Sequence, residues 1–306
     1  MKTYILGIFN AAAFAAAMVC ATAFAKDDAS VKYSAKLRVA AEQGEVEAQK
    51  DLALAYWDGN GIAEDKHEAV RWARVAADKE HPRAQNLLGL AYLRGEGGVA
   101  KDEREAIGWW RKAADQGLSR AQYNLGVAYW NGIGVNEDKS EAVRWHRKAA
   151  EQGEANAQVY LGNAYQHGQG VAADQNEAVR WYRKAAEQGN ARAQHYVGGA
   201  YLQGVGVRKN LREGVRWLRK AAEQGYVEAQ ADLGAAYLPG QSIIEDPFES
   251  YVWFAIAREN GNSLAALALS DRLEWLPYLT PDDISAANKE ALKRMEKIER
   301  RKAKGG

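Results

Sequence analysis

The sequence predicts an all-α fold: a right-handed α-solenoid superhelix of short antiparallel helix pairs, each burying its apolar stripe against its neighbours. Three observations predict it. The dipeptide Ala-Gln begins at Ala48, Ala84, Ala121, Ala157, Ala193 and Ala229, a step of 36 residues lengthened once to 37 by the extra glycine of Gly97-Gly98. Eight residues after each Ala stands a Tyr (Tyr56, Tyr92, Tyr129, Tyr165, Tyr201, Tyr237), and a Trp recurs with the same period at Trp72, Trp109, Trp145, Trp181, Trp217 and Trp253. Within a unit, Ala121, Leu125, Ala128 and Tyr129 fall at i, i+4, i+7 and i+8, one apolar face of a helix. Self-similarity at such a period marks stacked supersecondary units rather than one closed core.

The composition agrees. A chain of 306 residues with 47% hydrophobic and 26% charged residues is a folded protein, and its length is better filled by six units plus caps than by two globular domains. Lys plus Arg number 41 against 40 acids. That balance excludes the clustered cationic excess of a nucleic-acid protein. Cys20 is the single cysteine, so no disulfide framework or thiolate metal site is expected.

The elements follow in order. Lys2, the apolar run Tyr4 to Val19 and the small-x-small triplet Ala23-Phe24-Ala25 read as a secretory signal peptide over 1–25, removed with Cys20. The protein is therefore expected to be exported, periplasmic or secreted, with no membrane span after cleavage. Residues 26–46 hold a capping helix, Lys32 to Gln43, with Lys36 where a Trp would stand. The solenoid occupies 47–276. In each unit a first helix runs from Ala-Gln to a Gly-x-Gly turn such as Gly132-Ile133-Gly134. The small residue after Leu (Ala53, then Gly89, Gly126, Gly162, Gly198, Gly234) is expected to admit a neighbouring backbone.

The second helix opens at Asp65/Glu68, Asp102/Glu105, Asp138/Glu141, Asp174/Glu177, Asn210/Glu213 or Asp246/Glu249. Each pair is spaced as a capping box in which the Glu reaches back to the cap N–H. Arg147 and Lys148 are expected to complement the helix C-terminus. A degenerate seventh unit begins near Ala265 with Leu273 in the Tyr position. Residues 277–306 start a last helix at Thr280-Pro281-Asp282-Asp283 and end in a basic tail, read as solvated and frayed.

The pattern A-x-A-Q-x-x-L-G-x-x-Y-x-x-G-x-G-V … D-x-x-E-A-V-x-W-x-x-K-A-A-E-x-G resembles the Sel-one-like repeat, a branch of the tetratricopeptide-like α-solenoids, of the bacterial exported type. The resemblance covers about residues 47–270. It implies a superhelix whose concave face holds a protein or peptide. The function it implies is that of a non-enzymatic exported scaffold or adaptor. The alternatives are a cell-envelope enzyme or small-ligand binder related to β-lactams or the cell wall, and a secreted host-interaction factor. Exported relatives linked to β-lactams are rich in cysteine, which this chain beyond residue 25 lacks.

No catalytic, cofactor or metal site is expected. His67, His81, His146, His167 and His195 form no zinc-binding spacing, no G-x-S-x-G occurs, and the Gly-x-Gly turns lack the Lys-Ser/Thr of a phosphate loop. By analogy with tetratricopeptide grooves, the partner-binding positions are one before each Ala-Gln and two, six, nine and ten after it. The first row is Glu47, Arg83, Arg120, Asn156, Arg192 and Glu228; the second is Lys50, Asn86, Tyr123, Val159, His195 and Ala231. Nine and ten after stand Trp57, Leu93, Trp130, Gln166 and Leu202, then Asp58, Arg94, Asn131, His167 and Gln203. The expected binding set is Arg83, Arg94, Arg120, Tyr123, Trp130, Asn131, Asn163, Gln166, Arg192 and His195. Arginine and aromatics together make up binding hot spots. On this reading Trp130→Ala weakens a ligand and leaves the melting temperature nearly unchanged.

Overall fold

The computed structural model describes residues 31–238, 245–270 and 279–305, and among them every regular element is a helix. The signal segment with Cys20, and Leu273, lie outside the described residues. The chain divides into two compact units, residues 1–145 and 146–306, each considered by itself. After the capping helix α1 (Ala35–Glu42) come first helices α2 (Val46–Asp58), α4 (Pro82–Arg94), α6 (Ser119–Asn131), α8 (Ala155–His167), α10 (Ala191–Gln203) and α12 (Val227–Ala236). They alternate with second helices α3 (Lys66–Ala77), α5 (Glu103–Asp115), α7 (Lys139–Glu151), α9 (Gln175–Glu187), α11 (Leu211–Glu223) and α13 (Pro247–Glu259). Helices α14 (Ser263–Ser270) and α15 (Pro281–Gly305) complete the chain. This is an α-solenoid.

The recurring residues have separate physical tasks. The first helices α2, α4, α6, α8 and α10 each stop where a glycine takes the left-handed conformation, as at Gly132 with φ of 68°, whereas α12 ends at Tyr237 in a right-handed one. The Gln of Ala-Gln reaches back eight residues to a carbonyl at the end of the preceding helix, as a second donor beside a backbone N–H: Gln122 to Ala114, Gln158 to Ala150, Gln194 to Ala186, at 3.1–3.2 Å. Gln158 and Gln194 also accept from the C-terminal cap residue of their own unit's second helix, Gln188 to Gln158 at 2.9 Å and Gln224 to Gln194 at 2.7 Å. Five of the Tyr hydroxyls accept from an arginine two residues past a ladder Trp: Arg74 to Tyr92 (3.0 Å), Arg147 to Tyr165 and Arg183 to Tyr201 (2.8 Å each), and likewise Arg111 to Tyr129 and Arg219 to Tyr237. Arg147 therefore ties neighbouring units together by reaching a tyrosine. Three ladder Trp rings, Trp109, Trp181 and Trp217, are covered by a lysine three residues on, Lys184 lying 3.9 Å from the Trp181 ring centre.

The capping residues behave as expected and their Glu partners do not. Asp65, Asp138 and Asp174 accept from the N–H three residues on at 2.9–3.1 Å. Their own N–H groups, however, already donate to the carbonyls of Tyr56, Tyr129 and Tyr165 at 2.9–3.0 Å. With the cap N–H occupied, the carboxylates of Glu68, Glu141, Glu177 and Glu213 turn to Arg71, Arg144, Arg180 and Arg216 at 2.6–2.7 Å. The reciprocal box forms instead at α15, where Thr280 N donates to Asp283 (2.8 Å) and Asp283 N to the Thr280 hydroxyl (3.2 Å).

What approaches the recurring first-helix glycine most closely is a large side chain, with a backbone atom also near at Gly198, where the Leu218 nitrogen would lie 3.1 Å from an added Cβ. A Cβ on Gly89 would lie 2.4 Å from the Trp110 ring, one on Gly162 2.6 Å from Tyr182, and one on Gly198 2.8 Å from Leu218. Each of these residues follows a ladder Trp. The glycine is a socket for the next helix's largest core residue, and Trp110 is only 1% exposed. Gly89→Ala is expected to cost about 1–3 kcal/mol by overpacking, despite alanine's better helix propensity. Gly108→Ala, on a helical position with nothing within 4 Å, is expected to add about 0.5–1 kcal/mol. Chemical denaturation of the two variants checks the opposite signs.

The C-terminal segment is docked, not frayed. Ala287, Ala291 and Ile298 are buried at i, i+4 and i+11. The Arg294 guanidinium grips Glu249 of α13 with two bonds of 2.6 and 3.0 Å. Beside Arg294, Glu249 is held below the usual carboxylate range. The amphipathic periodicity and this clamp give a tail of mixed charge a packing face.

Candidate partner-binding face

The first helices are buried on more sides than a groove model assumes. Residues 84–91, 121–128 and 157–164 form three unbroken buried runs of about two turns each. A helix buried around its whole middle offers solvent only its two end turns. The expected rows therefore separate into accessible ends and a buried seam.

In residues 31–145, Arg83 is exposed and Arg120 half-buried at first-helix N-termini. At the C-terminal ends, Arg94 lies 3.7 Å from Glu96, and the Asn131 amide donates to the Val127 carbonyl at 2.8 Å. Tyr123 is 0% and Trp130 6% exposed, so both are core. Lys139 places its ammonium 4.7 Å from the Trp130 ring centre and donates to the Trp130 carbonyl. The same pattern closes over Trp57, with Lys66 4.4 Å from the ring. Assigning Tyr123 and Trp130 to an open groove is thus corrected: the positions two and nine after Ala face neighbouring helices. The reason is register. Asn86, two after its Ala, meets Asn124, three after the next Ala, in a bond of 3.0 Å.

In residues 146–306 the same seam holds His195 and Asp232, Nε2 to Oδ2 2.7 Å apart, each side chain 7% exposed. His195 is therefore a buried joint between α10 and α12, and not a groove ligand. Asn163, also buried, and the half-buried Gln166 each place an oxygen 2.7 Å from the Tyr182 hydroxyl. His146 is fully buried and stacks on Tyr160 at 4.6 Å between ring centres. Burial drives its pKa down to about 3, which leaves the ring neutral.

An accessible cluster remains on this side. Tyr196 packs on Tyr182 (4.6 Å between centres) and near His195 (5.7 Å), and Tyr226 lies 5.3 Å from His195. Both Tyr196 and Tyr226 are half-buried, with Arg192 half-buried beside them and Glu228 exposed. Burial pushes the Tyr196 and Tyr226 phenols upward, with Arg192 acting against it, so both remain neutral donors at neutral pH. Arg192 belongs to the expected set; Tyr196 and Tyr226 do not. They stand three after and three before an Ala-Gln, positions that vary freely from unit to unit and that the tetratricopeptide analogy skips. Their signal in the sequence is an aromatic residue at a variable place. Among the described residues no group of three or more His, Cys, Asp or Glu is placed to hold a metal ion, and no helix is long and apolar enough to cross a membrane.

Helix pairs joined by recurring Gln, Arg–Tyr and socketed-glycine contacts define an α-solenoid of the repeat-scaffold class. The chain belongs to the Sel1-repeat family: the Sel1 repeat model matches residues 46–81, 82–118, 119–154, 155–190, 191–226 and 227–262. The solved structure of a protective antigen present in uropathogenic Escherichia coli strains, displaying an SLR fold, is similar with a TM-score of 0.74 and 39% identity. That match covers 87% of this chain and 56% of the antigen, so the chain spans a little over half the antigen's length. A Sel1 repeat protein from Oxalobacter formigenes is similar with a TM-score of 0.62 and 32% identity, over 70% of this chain and 86% of that one. No curated protein matches the chain.

Proposed function

We propose that the protein is an exported, non-enzymatic scaffold that binds a protein or peptide partner at an accessible patch of α10 and the start of α12, centred on Arg192, Tyr196 and Tyr226. One observation carries this reading. Two half-buried tyrosines flank a half-buried arginine on a rigid helical frame, the composition of an interface hot spot. The rigid frame lowers the ordering cost of binding. The Sel1-repeat fold is compatible with a protein-interaction role. Similarity to a protein described as a protective antigen supports export, as does the signal-like segment 1–25.

The test places a photo-crosslinking amino acid at Tyr226, and as a control at the exposed Gly108, in the protein expressed in a bacterium that exports it. Expected is a discrete adduct from position 226 that disappears with Arg192→Ala, on a chain whose N-terminus reads Lys26. Equal labelling from both positions, or an adduct indifferent to Arg192→Ala, overturns the binding face. A chain retaining Met1 in the cytoplasm overturns export.

A further inference from the structure

We propose that the outer face of α15 binds the surface of an anionic bilayer. The helix is amphipathic in an uncommon sense, because its apolar stripe is already used. Ala287, Ala291 and Ile298 are buried, and the Arg294 clamp on Glu249 holds the stripe down. The opposite face then carries a fixed set of charges. At 100° per residue, Lys289, Lys293, Lys297 and Arg300 fall within a quarter of the helix circumference, centred away from the buried stripe. The three lysines are exposed, Lys293 by 80%, and its nearest acid, Glu290, is 3.8 Å away. Glu290 is itself bound to Arg294 at 2.9 Å. Glu296, the acid within the ridge, pairs with Arg300 at 3.2 Å. Lys289, Lys293 and Lys297 stand at i, i+4 and i+8, a line of charge about 12 Å long.

The chemistry of the ridge selects its partner. Its cations are mainly lysines, hydrated point charges on flexible stems, which suit the diffuse and laterally mobile charge of headgroups better than paired carboxylates, where arginine forks are preferred. It carries no aromatic residue, which a protein hot spot or a single-stranded nucleic acid would use. Leu292, 60% exposed beside the lysines, adds one apolar contact at headgroup depth. With its apolar face spent on α13 and on the turn at Gly225, the helix lies on the surface without inserting, so attraction is electrostatic and screened by salt.

The experiment is co-sedimentation of the full chain with vesicles of phosphatidylcholine containing about one-third phosphatidylglycerol, against pure phosphatidylcholine. The comparison cancels any contribution of the apolar N-terminal segment. Expected is phosphatidylglycerol-dependent binding that falls about a hundredfold in the Lys289→Gln/Lys293→Gln/Lys297→Gln variant and is suppressed by high salt. The variant's melting temperature is expected to be unchanged, since none of the three lysines holds a packing contact. Equal binding to both vesicles, no binding to either, or full binding by the triple variant overturns the proposal. Capture of an acidic protein by the ridge without vesicle binding overturns it in favour of a protein partner.

Discussion

Replacing Trp130 by alanine should lower stability by about 3–5 kcal/mol, a fall of roughly 10 °C in melting temperature, because it empties a large core site. The indole is 6% exposed, and Lys139 lies over its face while donating to its carbonyl, so α6 and α7 are joined through this residue. The sequence pattern alone led to the opposite expectation, a ligand contact whose loss leaves the melting temperature unmoved. Thermal or chemical denaturation decides between them. Lys139→Ala separates the two parts of the joint: it removes the cation and keeps the ring, and should cost only about 0.5–1 kcal/mol. If Trp130→Ala melted with the parent protein, the burial argument would fail and the open-groove reading would return.

The same case shows which parts of this molecule are legible in its sequence. Ala-Gln, the Tyr and the Trp each recur six times, so every unit is an independent reading of one structural position. Helix order, the cap acids and the core ladder follow from that repetition. Less legible are features that depend on register between neighbouring helices. Whether Glu68 turns to the cap N–H or to Arg71 is decided by the Tyr56 carbonyl, which arrives from the preceding helix and takes the N–H first. The pairing of Asn86 with Asn124 spans 38 residues and appears only when the two first helices are set side by side. Analogy with a related solenoid marks Tyr123 and His195 as accessible; in this one Tyr123 is buried and His195 meets Asp232 of the next first helix. Tyr196 and Tyr226 were passed over for the converse reason, since no repeat position marks them.

That seam also carries the second large effect. His195→Ala should cost about 3 kcal/mol, because it leaves the Asp232 side chain buried without its 2.7 Å partner, and an unpaired buried polar group is more expensive than a missing pair. The molecule itself supplies the rescue. Asn86 and Asn124 occupy the equivalent positions in residues 31–145 and meet as a neutral amide pair at 3.0 Å. The double variant His195→Asn/Asp232→Asn rebuilds that pair in residues 146–306 and should recover all but about 1 kcal/mol, through a coupling that single substitutions lack. A double-mutant cycle by urea denaturation measures it. Additive losses would mean that His195 and Asp232 stabilise the seam independently, by packing against Tyr196 and Tyr226, and that their hydrogen bond contributes nothing. A strong positive coupling would establish the seam as an interchangeable polar joint, with its chemistry chosen unit by unit while the helical frame around it stays constant.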